Sequence, residues 1–364
     1  DVIASKAHAK MLGKIGLLTQ KETDDLIKEL NNIEKSIQKG EFVIEDSFED
    51  MHSKIEYILT EKLGDTGKKI HTARSRNDQV LVAMHLYLKN ELAEIKSETK
   101  ILFDLLLNYA ESLIDDLYFI DAAYKVADQN PLGSAAGYGS SFPVDRTFTT
   151  TEMGFSNLKY NVVAAQMGRG KVEKAAAFGI SSIAATLSKM AMDICLYMSQ
   201  NFNFISFPDE LTTGSSIMPH KKNPDVFELI RGKCNRLQAV PNQLTLILTN
   251  LPSGYHRDLQ LVKEVIVPAI QDLKACIEIL TFSLKEVRVN ETILEDPKYD
   301  YLFSVDTLNE LVLGGIPFRD AYKQMGMEIY EGRFTPKRDI KHTHEGSLGN
   351  LCLNEIRKKM EAIL

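Results

Sequence analysis

Long stretches of this chain place apolar residues at the spacing of an α-helix. Thr19 and Glu22 form a capping-box pair, and apolar residues then recur every third or fourth position up to Ile37. Gly40 ends this predicted helix, because glycine readily adopts the left-handed conformation found after helix C-termini. Alternating apolar and polar residues, which would predict strands, are scarce. The pattern therefore predicts an all-α protein.

Three stretches contain no glycine or proline and continue the helical pattern: 79–130, 180–207 and 269–296. The first of them carries one clear apolar stripe, formed by Leu81, Met84, Leu88, Leu92 and Ile95. A helix of about 28 residues is about 42 Å long, and several such helices prefer to pack nearly parallel in a bundle. We therefore predict a central bundle of long helices.

Breaks in the pattern divide the chain into three predicted parts. Gly64, Gly67 and the polar stretch through Asp78 close an N-terminal helical domain, 1–78. The long helices fill a central bundle domain, 79–296. Pro297 opens a small C-terminal helical domain, 297–364.

Composition narrows the classes of partner. The chain has 364 residues, of which 44% are hydrophobic and 26% charged, with a net charge of −7. Such a chain is globular, and its acidic balance argues against nucleic acid or an anionic membrane as a main partner. Since no apolar run reaches about 18 residues, we expect no membrane span. Four widely separated cysteines without a C-x-x-C pair are typical of reduced thiols, which predicts a cytoplasmic protein.

The stretch from Gly214 to Asp225, GSSIMPHKKNPD, carries the strongest chemical signal in the chain. It combines two hydroxyls with the cations of Lys221 and Lys222 and the amide of Asn223. Backbone N–H groups and cations on one loop suit a reaction in which negative charge grows on a carboxylate. A serine here acts as a base, as a nucleophile or as a plain turn residue, and the spacing is not that of a phosphate-binding loop. We expect an enzyme whose substrate carries several carboxylates.

Two further stretches carry groups suited to anions. In His71-Thr-Ala-Arg-Ser-Arg-Asn-Asp78, the fork of Arg76 and the amide of Asn77 match a carboxylate, although a solvated charged turn has the same composition. In the stretch that runs from Tyr255 to Lys263, the pattern predicts a helix that places Gln260 and Lys263 on one face. The alternative is the edge of an amphipathic helix.

A metal site is not expected from the sequence. His342 and His344 lie in a polar stretch, but no third ligand follows at a suitable spacing. Two near-adjacent histidines of this kind are more often solvated than bound to metal.

Together these stretches resemble the fumarase/aspartase superfamily and, within it, the argininosuccinate lyase branch. GSSIMPHKKNPD is similar to the superfamily signature, and HTARSRNDQ is similar to the segment most typical of the branch. YHRDLQLVK is close to the third region, usually Y-N-K-D-L-Q-E-D-K, with Leu261 and Val262 in place of two acids. PLGSAAGYGSSFPVDR (131–146) also resembles the family, so the likeness covers nearly the whole chain.

The resemblance implies a three-domain, fumarase/aspartase-like subunit whose central helices assemble into a homotetramer. It implies that each active site takes one region from each of three different subunits. The implied reaction is the reversible β-elimination of argininosuccinate, a small molecule, to arginine and fumarate, without a cofactor. This carbon–nitrogen lyase activity belongs to arginine biosynthesis.

Roles for individual residues follow from matching the family motifs. Ser215, chosen over Ser216 because it matches the family's first serine, takes the Cβ proton, and the resulting aci-carboxylate dianion is held by loop N–H groups. The other matched residues are Lys221 and Asn223 on the dianion, Glu228 as the catalytic partner of a family histidine, Arg76 and Asn77 on a substrate carboxylate, and Tyr255, Gln260 and Lys263 completing the pocket.

The sequence departs from the family in two places. The family carries a T-x-x-H-x-Q segment whose histidine takes part in catalysis, and this chain has no such segment. The resemblance places it near Asn108 and Tyr109, and we interpret LLLNYAESL as a junction at which a loop segment is missing, just as the family's opening segment is missing before Asp1. At Gln166-Met-Gly-Arg-Gly170 the branch usually has a Ser-x-Arg-Asp stretch.

Two alternative functions remain open at this point. Another fumarate-releasing lyase, of the adenylosuccinate or ammonia type, shares the fumarate half of the site. A non-catalytic, crystallin-like structural protein on the same scaffold is the alternative from a different class. The Arg-Ser-Arg-Asn segment favours argininosuccinate as the substrate over the substrates of the other lyases. The intact Ser215 loop argues against the structural protein.

Overall fold

The computed structural model describes residues 1–105, 109–339 and 342–364. Almost all regular structure in these ranges is helical, as the pattern predicts. The α-helices are α1 (Val2–Lys14), α2 (Gln20–Gln38), α3 (Met51–Leu63), α4 (Asp65–Lys68), α5 (Arg76–Leu105), α6 (Ala110–Ala127), α7 (Arg146–Glu152), α8 (Val162–Met167), α9 (Lys171–Tyr197), α10 (Asp225–Leu237), α11 (Val240–Leu248), α12 (Val262–Leu284), α13 (Ser304–Leu313), α14 (Phe318–Tyr330) and α15 (Leu353–Glu361).

The strands among the described residues form two short pairs. Strands β1 (Gln129–Asn130) and β2 (Asn157–Leu158) pair in parallel, and β3 (Ile205–Ser206) and β4 (Arg288–Val289) pair antiparallel. With two residues in each strand, these pairs fasten connecting segments and build no sheet core.

The capping prediction for α2 is confirmed. The Thr19 hydroxyl accepts the N–H of Glu22, and the Glu22 carboxylate accepts the N–H of Thr19 at 2.9 Å. Both bonds satisfy donors that the first turn of a helix leaves without intrahelical partners. At the other end Gly40 adopts φ +73°, as expected for the residue after a helix.

The central core lies between α5, α6, α9, α10 and α12. The five predicted stripe residues of α5 are all buried, with Leu88, Leu92 and Ile95 fully so. Gly179 of α9 allows a close approach, because a Cβ there would lie 2.6 Å from Cδ1 of Ile120 on α6. Burial of these apolar surfaces is the main stabilising contribution to the bundle.

The directions of the bundle helices follow from their contacts. Antiparallel packing of α5 and α6 brings Nδ1 of His85 to 2.8 Å from the Ala127 carbonyl and Nζ of Lys96 to 3.2 Å from Asp121. Tyr109 at the start of α6 bonds to Asp193 near the end of α9, so α6 and α9 are also antiparallel. Helix α9 therefore runs in the same direction as α5.

Helices α10 and α12 complete this arrangement. Ser188 of α9 donates to Asn235 near the end of α10 at 2.6 Å, while Arg231, earlier in α10, contacts Met192, later in α9. Helix α10 is therefore antiparallel to α9. Lys274 of α12 reaches Glu91 of α5 at 3.2 Å. Together with a pocket shared by the N-terminal ends of α5 and α12, this contact makes those two helices parallel. The N-terminal ends of α5, α9 and α12 thus lie at one end of the bundle.

Two long helices differ in extent from the glycine- and proline-free runs. Helix α9 begins at Lys171 and ends at Tyr197, and α12 begins at Val262 and ends at Leu284. Pro268 therefore lies inside α12, where the buried face that includes Ile266 and Ile270 compensates for the backbone hydrogen bond that proline removes.

Smaller apolar clusters flank the central core. One unites α1, α2 and α3, and another lies between α13 and α14 around Leu308 and Met325. Met360 and Ile363, at the C-terminal end of the chain, belong to the central core instead. The predicted boundary at Gln79 lies inside α5. The division into three domains stays a prediction.

One helix of the described residues is long and apolar enough to cross a membrane. This helix is α9, and 56% of its most apolar window is buried inside the bundle. The core helix of a globular protein has the same properties.

Candidate active site

A pocket of about 970 Å³ lies where α5 and α12 begin, and we call it the N-end pocket. Its walls include polar side chains from three separate stretches of sequence. The ones that matter for the chemistry are Asp50, Arg76, Asn77, Tyr255, Gln260 and Lys263. The structure thus brings together five of the predicted site residues within one chain.

The first turn of α5 fixes the position of Arg76 and Asn77. The buried carboxylate of Asp78 accepts the N–H of Ser75 at 2.8 Å and the N–H of Gly133 at 3.0 Å. These bonds cap the helix and tie it to the segment that follows β1. Arg76 and Asn77 are therefore held on a rigid helix end.

The two arginines of this stretch separate. Arg74 is buried, donates to Oγ of Ser5 at 3.0 Å, and has its pKa lowered to about 10 by burial. Arg76 points into the N-end pocket, where Nη1 lies 2.9 Å from Asp50 and 3.7 Å from Glu49. Arg74 therefore serves the packing of the N-terminal helices, and Arg76 is the one placed for a ligand.

Tyr255 does not lie on a helix, so that prediction is wrong. A 3-10 helix spans Arg257–Gln260, and Gly254 before it adopts φ +123°, which interrupts helical geometry. Nε2 of Gln260 donates to the Tyr255 hydroxyl at 2.8 Å, which joins the two predicted residues directly. Lys263 follows in the first turn of α12, where burial, aided by Arg169, lowers the pKa of its ammonium group.

Asp50 and Glu49 were not identified from the sequence. Asp50 caps α3 by accepting the N–H of Ser53 at 2.9 Å, and it simultaneously holds Arg76. Although burial acts to raise the pKa of the Asp50 carboxyl, the Ser53 N–H and nearby charges lower it overall. The capping role is visible in the sequence, but only the fold brings this acid to Arg76.

A second pocket, of about 640 Å³, lies near the C-terminal end of α9, and we call it the loop pocket. Lys221, Asn223 and Glu228 line it, together with His220 and Met218. Ser215 is partly exposed and does not line it, whereas Lys221 and Glu228 are exposed within the single chain.

Backbone bonds close the loop that carries these residues. Asn223 and Thr213 exchange backbone hydrogen bonds of 2.8 and 3.2 Å. The Asn223 amide nitrogen also donates to the carbonyls of Thr213 and Gly214, each at 3.2 Å. These two hydrogen bonds therefore stabilise the closed loop. The amide nitrogen must break them before it can contact a substrate.

The Ser215 hydroxyl is surrounded by N–H donors. Its oxygen accepts from Ile217 at 3.2 Å and from Met218 at 3.1 Å. Donors aimed at an oxygen favour its negatively charged form. The loop therefore supplies the stabilisation that a serine needs in order to act as a base.

The two loop lysines also differ. Lys222 pairs with Asp209, whereas Lys221 forms no ion pair among the residues that the structure describes. Lys221 is thus the lysine of the loop that is available to an anion.

The two pockets lie at opposite ends of the bundle. The N-end pocket lies where α5 and α12 begin, and the loop pocket lies beside Cys195 and Met198 at the end of α9, which runs parallel to α5. A helix of 27 residues spans about 40 Å. Ser215 and Arg76 of one chain therefore cannot act on one small molecule.

Two of the three sequence stretches lie side by side within one chain. Arg76 and Asn77 line the same pocket of the same chain as Tyr255, Gln260 and Lys263, because α5 and α12 are parallel neighbours. Two of the three stretches therefore need no second subunit. The serine loop lies at the opposite end of the bundle, and the sharing of the site between subunits stays a prediction.

The junction at Asn108 lies outside the described residues. Tyr109 is described, and its bond to Asp193 places the start of α6 at the same end of the bundle as the loop pocket. A segment inserted between α5 and α6 would emerge at that end.

The two histidines of the C-terminal stretch show no metal-binding cluster. Nε2 of His342 lies 2.8 Å from Asp306, and the rings of His342 and His344 are 6.1 Å apart. No group of three or more metal-ligating side chains occurs in the described ranges.

Proteins that are similar to this chain along all of its length are known. An argininosuccinate lyase of Phocaeicola vulgatus is 52% identical over all of this chain and 88% of its own length. An argininosuccinate lyase of Parabacteroides distasonis is likewise 52% identical with the same coverage. Both alignments span 394 positions, 30 more than the 364 residues of this chain, so the relatives carry residues that have no counterpart here.

A family model and a solved structure agree with this likeness. The model described as "Lyase" matches residues 1–118 and 105–239. The two matched stretches overlap at 105–118, around the junction where the sequence indicates a missing segment. The crystal structure of an EDDS lyase in complex with formate superposes with a TM-score of 0.78 over 91% of this chain and 72% of that one. Its sequence is 21% identical, so it supports the fold alone.

Proposed function

The chain belongs to the lyase family of the fumarase/aspartase superfamily, in its argininosuccinate lyase branch, and we propose that its active site forms where the loop pocket of one subunit meets the N-end pocket of another. The protein is a carbon–nitrogen lyase. It catalyses the reversible β-elimination of argininosuccinate to arginine and fumarate.

The separation of the two pockets is the observation that carries the proposal. The base and the free lysine lie at one end of an approximately 40 Å helix, and the arginine fork lies at the other. Antiparallel association of two chains places opposite ends together. A closed symmetric assembly then gives every subunit the same composite sites.

Exposed apolar side chains on the bundle helices support an assembly. Helices that are apolar on more than one face are buried against a partner. Large side chains left exposed on α6, α9, α10, α11 and α12 are Phe119, Phe178, Leu229, Leu246 and Phe282, each more than 50% exposed. We assign this surface to a homotetramer, in which a third subunit contributes the segment that relatives carry between α5 and α6.

The charges of the N-end pocket suit the two halves of argininosuccinate. Arg76, Asn77 and Lys263 offer donors to carboxylates, and Asp50 and Glu49 offer acceptors to a guanidinium group. The Tyr255 and Gln260 pair adds neutral hydrogen-bonding groups. A pocket with cations alone would not match the arginine half of the substrate.

Proton abstraction is assigned to Ser215. The proton lies on the carbon next to a carboxylate, so its removal needs stabilisation of the resulting dianion more than a strong base. The N–H groups of Ile217 and Met218 hold the Ser215 oxygen, whereas Lys221 and other backbone N–H groups of the loop are assigned to the dianion. Asn223 joins them once its amide leaves the loop carbonyls. Glu228 is assigned to the proton that reaches the departing nitrogen, together with the histidine segment of the relatives.

Lys221→Ala is expected to lower kcat/KM while leaving the fold intact. An oxyanion donor contributes about 2.7–4 kcal/mol to transition-state stabilisation, so the loss is at least about 100-fold. Lys222→Ala is the matched control, because Lys222 is paired with Asp209 and is expected to have a smaller effect. Steady-state kinetics measure both, and equal losses would contradict the assignment to Lys221.

The substrate is tested by fumarate release, which is followed by ultraviolet absorbance. Argininosuccinate is expected to be turned over, whereas adenylosuccinate and aspartate are not. Release from adenylosuccinate alone would replace the proposed substrate. Absence of turnover in a normally assembled tetramer would favour the crystallin-like structural role. We also propose that the protein acts in the cytoplasm. We further propose that the chain forms three domains, 1–78, 79–296 and 297–364.

A further inference from the structure

A third cavity, of about 310 Å³, lies at the start of α9, and we call it the lysine pocket. Its polar lining residues are Gln166, Arg169, Lys171, Lys174, Ser253 and His256. It is bounded by the segment that leads to the 3-10 helix at Arg257–Gln260. Residues on the other side of that segment line the N-end pocket, so the two cavities share one wall.

The lysine pocket has an excess of positive charge. Lys171 and Lys174 form no ion pair among the residues that the structure describes. The nearest acid along the chain, Glu173, is fully buried, with its carboxylate 3.5 Å from Arg169 and 2.7 Å from the N–H of Gly170. Glu173 forms no ion pair with either lysine among the described residues, so the lysines are left for an anion.

Two deeply buried side chains in the wall have polar atoms without partners. Gln166 is 1% exposed, and both its amide nitrogen and its amide oxygen lack hydrogen bonds among the described residues. Arg169 is 3% exposed, and its Nη1 has no acceptor. Leaving such groups unpaired costs about 1–3 kcal/mol each, so buried polar atoms normally have partners. These atoms indicate a ligand with oxygen acceptors.

We propose that the lysine pocket binds a small dicarboxylate at a site separate from the substrate site. One carboxylate pairs with Arg169 and accepts from the Gln166 amide, and the other is held by Lys171 and Lys174. The cavity is at the lower end of the range of about 300–1,000 Å³ typical of small-molecule sites, which suits a four-carbon diacid. The succinyl half of the substrate and the fumarate product belong to this chemical class, so the inference rests on the proposed function for its ligand class.

Occupation of this site acts on the substrate pocket through one hydrogen bond. Nη2 of Arg169 donates to the Leu259 carbonyl at 3.1 Å, and the next residue, Gln260, holds the Tyr255 hydroxyl. An anion that pairs with the Arg169 guanidinium changes the position of the wall that the lysine pocket and the N-end pocket share. The site therefore adjusts KM for argininosuccinate, which is a regulatory role for a product-like diacid.

Binding of succinate to the assembled protein tests the proposal. Isothermal titration calorimetry is expected to give two sites per subunit in the wild type. Lys171→Ala with Lys174→Ala removes one site, and Arg76→Ala removes the other. Lys285→Ala with Lys358→Ala removes the same two charges elsewhere on the surface and is expected to retain both sites.

Each outcome bears on the proposal directly. A single site in the wild type, unaffected by the Lys171 and Lys174 changes, would overturn it. Inorganic phosphate that binds the lysine pocket when succinate does not would also overturn the dicarboxylate assignment. The double lysine variant is expected to keep kcat within about twofold, and its succinate inhibition changes from two-site to one-site form. A failure of the proposed function shows separately, as wild-type protein that binds succinate without releasing fumarate.

Discussion

Ser215→Ala is expected to reduce kcat for argininosuccinate by at least about 100-fold, the contribution usual for a positioned general base. The reason lies in the loop itself. The Ser215 oxygen accepts from Ile217 and Met218 at 3.2 and 3.1 Å, so the alkoxide that takes the proton is stabilised before substrate arrives. Alanine removes the base and leaves the two N–H groups without this acceptor.

Ser216→Ala is the matched control for that prediction. Ser216 lies next to Ser215 in the same turn and carries the same hydroxyl, but it is exposed and accepts neither N–H. Its loss is expected to change kcat by no more than about threefold. Size-exclusion chromatography is expected to show the same assembly for both variants. A Ser215→Ala protein with unchanged kcat would mean that another group takes the proton.

Arg76→Ala is expected to lower kcat/KM by at least about 100-fold, since a charge-assisted hydrogen bond contributes about 1.5–3 kcal/mol and a guanidinium fork makes two. A second effect adds to this loss. Asp50 and Glu49, 2.9 and 3.7 Å from the guanidinium, would remain as uncompensated negative charges in a pocket that receives a carboxylate. The lower kcat/KM is expected to come mainly from an increase in KM.

Arg76→Lys separates charge from geometry. Lysine keeps the positive charge beside Asp50 but loses the planar fork, so its kcat/KM is expected to lie between those of wild type and Arg76→Ala. Arg288→Ala, which removes an exposed arginine on β4, is expected to have wild-type kinetics. Equal kinetics for wild type and Arg76→Ala would show that the N-end pocket does not hold the substrate carboxylate.

Helix content and the main burial pattern could be predicted because they depend on local sequence. The capping box of Thr19 and Glu22 and the stripe from Leu81 to Ile95 are local signals, and the structure confirms them. The first and last residues of the helices were harder to predict, because tertiary packing can keep a glycine or a proline inside a helix. Gly179 lies inside α9 because α6 approaches it, and Pro268 lies inside α12 because the helix face around it is buried.

The residue types of the site were visible in the sequence, but their grouping was not. Tyr255 and Arg76 come together only because α5 and α12 run in parallel, which depends on four reversals of the chain between them. Asp50 caps α3, and only the fold brings its carboxylate to Arg76. The family resemblance predicts that the Asn223 amide binds the substrate intermediate. In the structure its nitrogen donates to two loop carbonyls instead.

Mixing two inactive variants tests the composite site most directly. Ser215→Ala and Arg76→Ala subunits, unfolded together and reassembled, are expected to recover about a quarter of wild-type activity. If a loop from one chain and a pocket from another are drawn at random, one combination in four is intact, as symmetric assembly requires. A mixture of Arg76→Ala with Lys263→Ala is expected to stay inactive, because both changes fall in one pocket of one chain. Recovery in the second mixture, or none in the first despite mixed assemblies, would contradict the shared site.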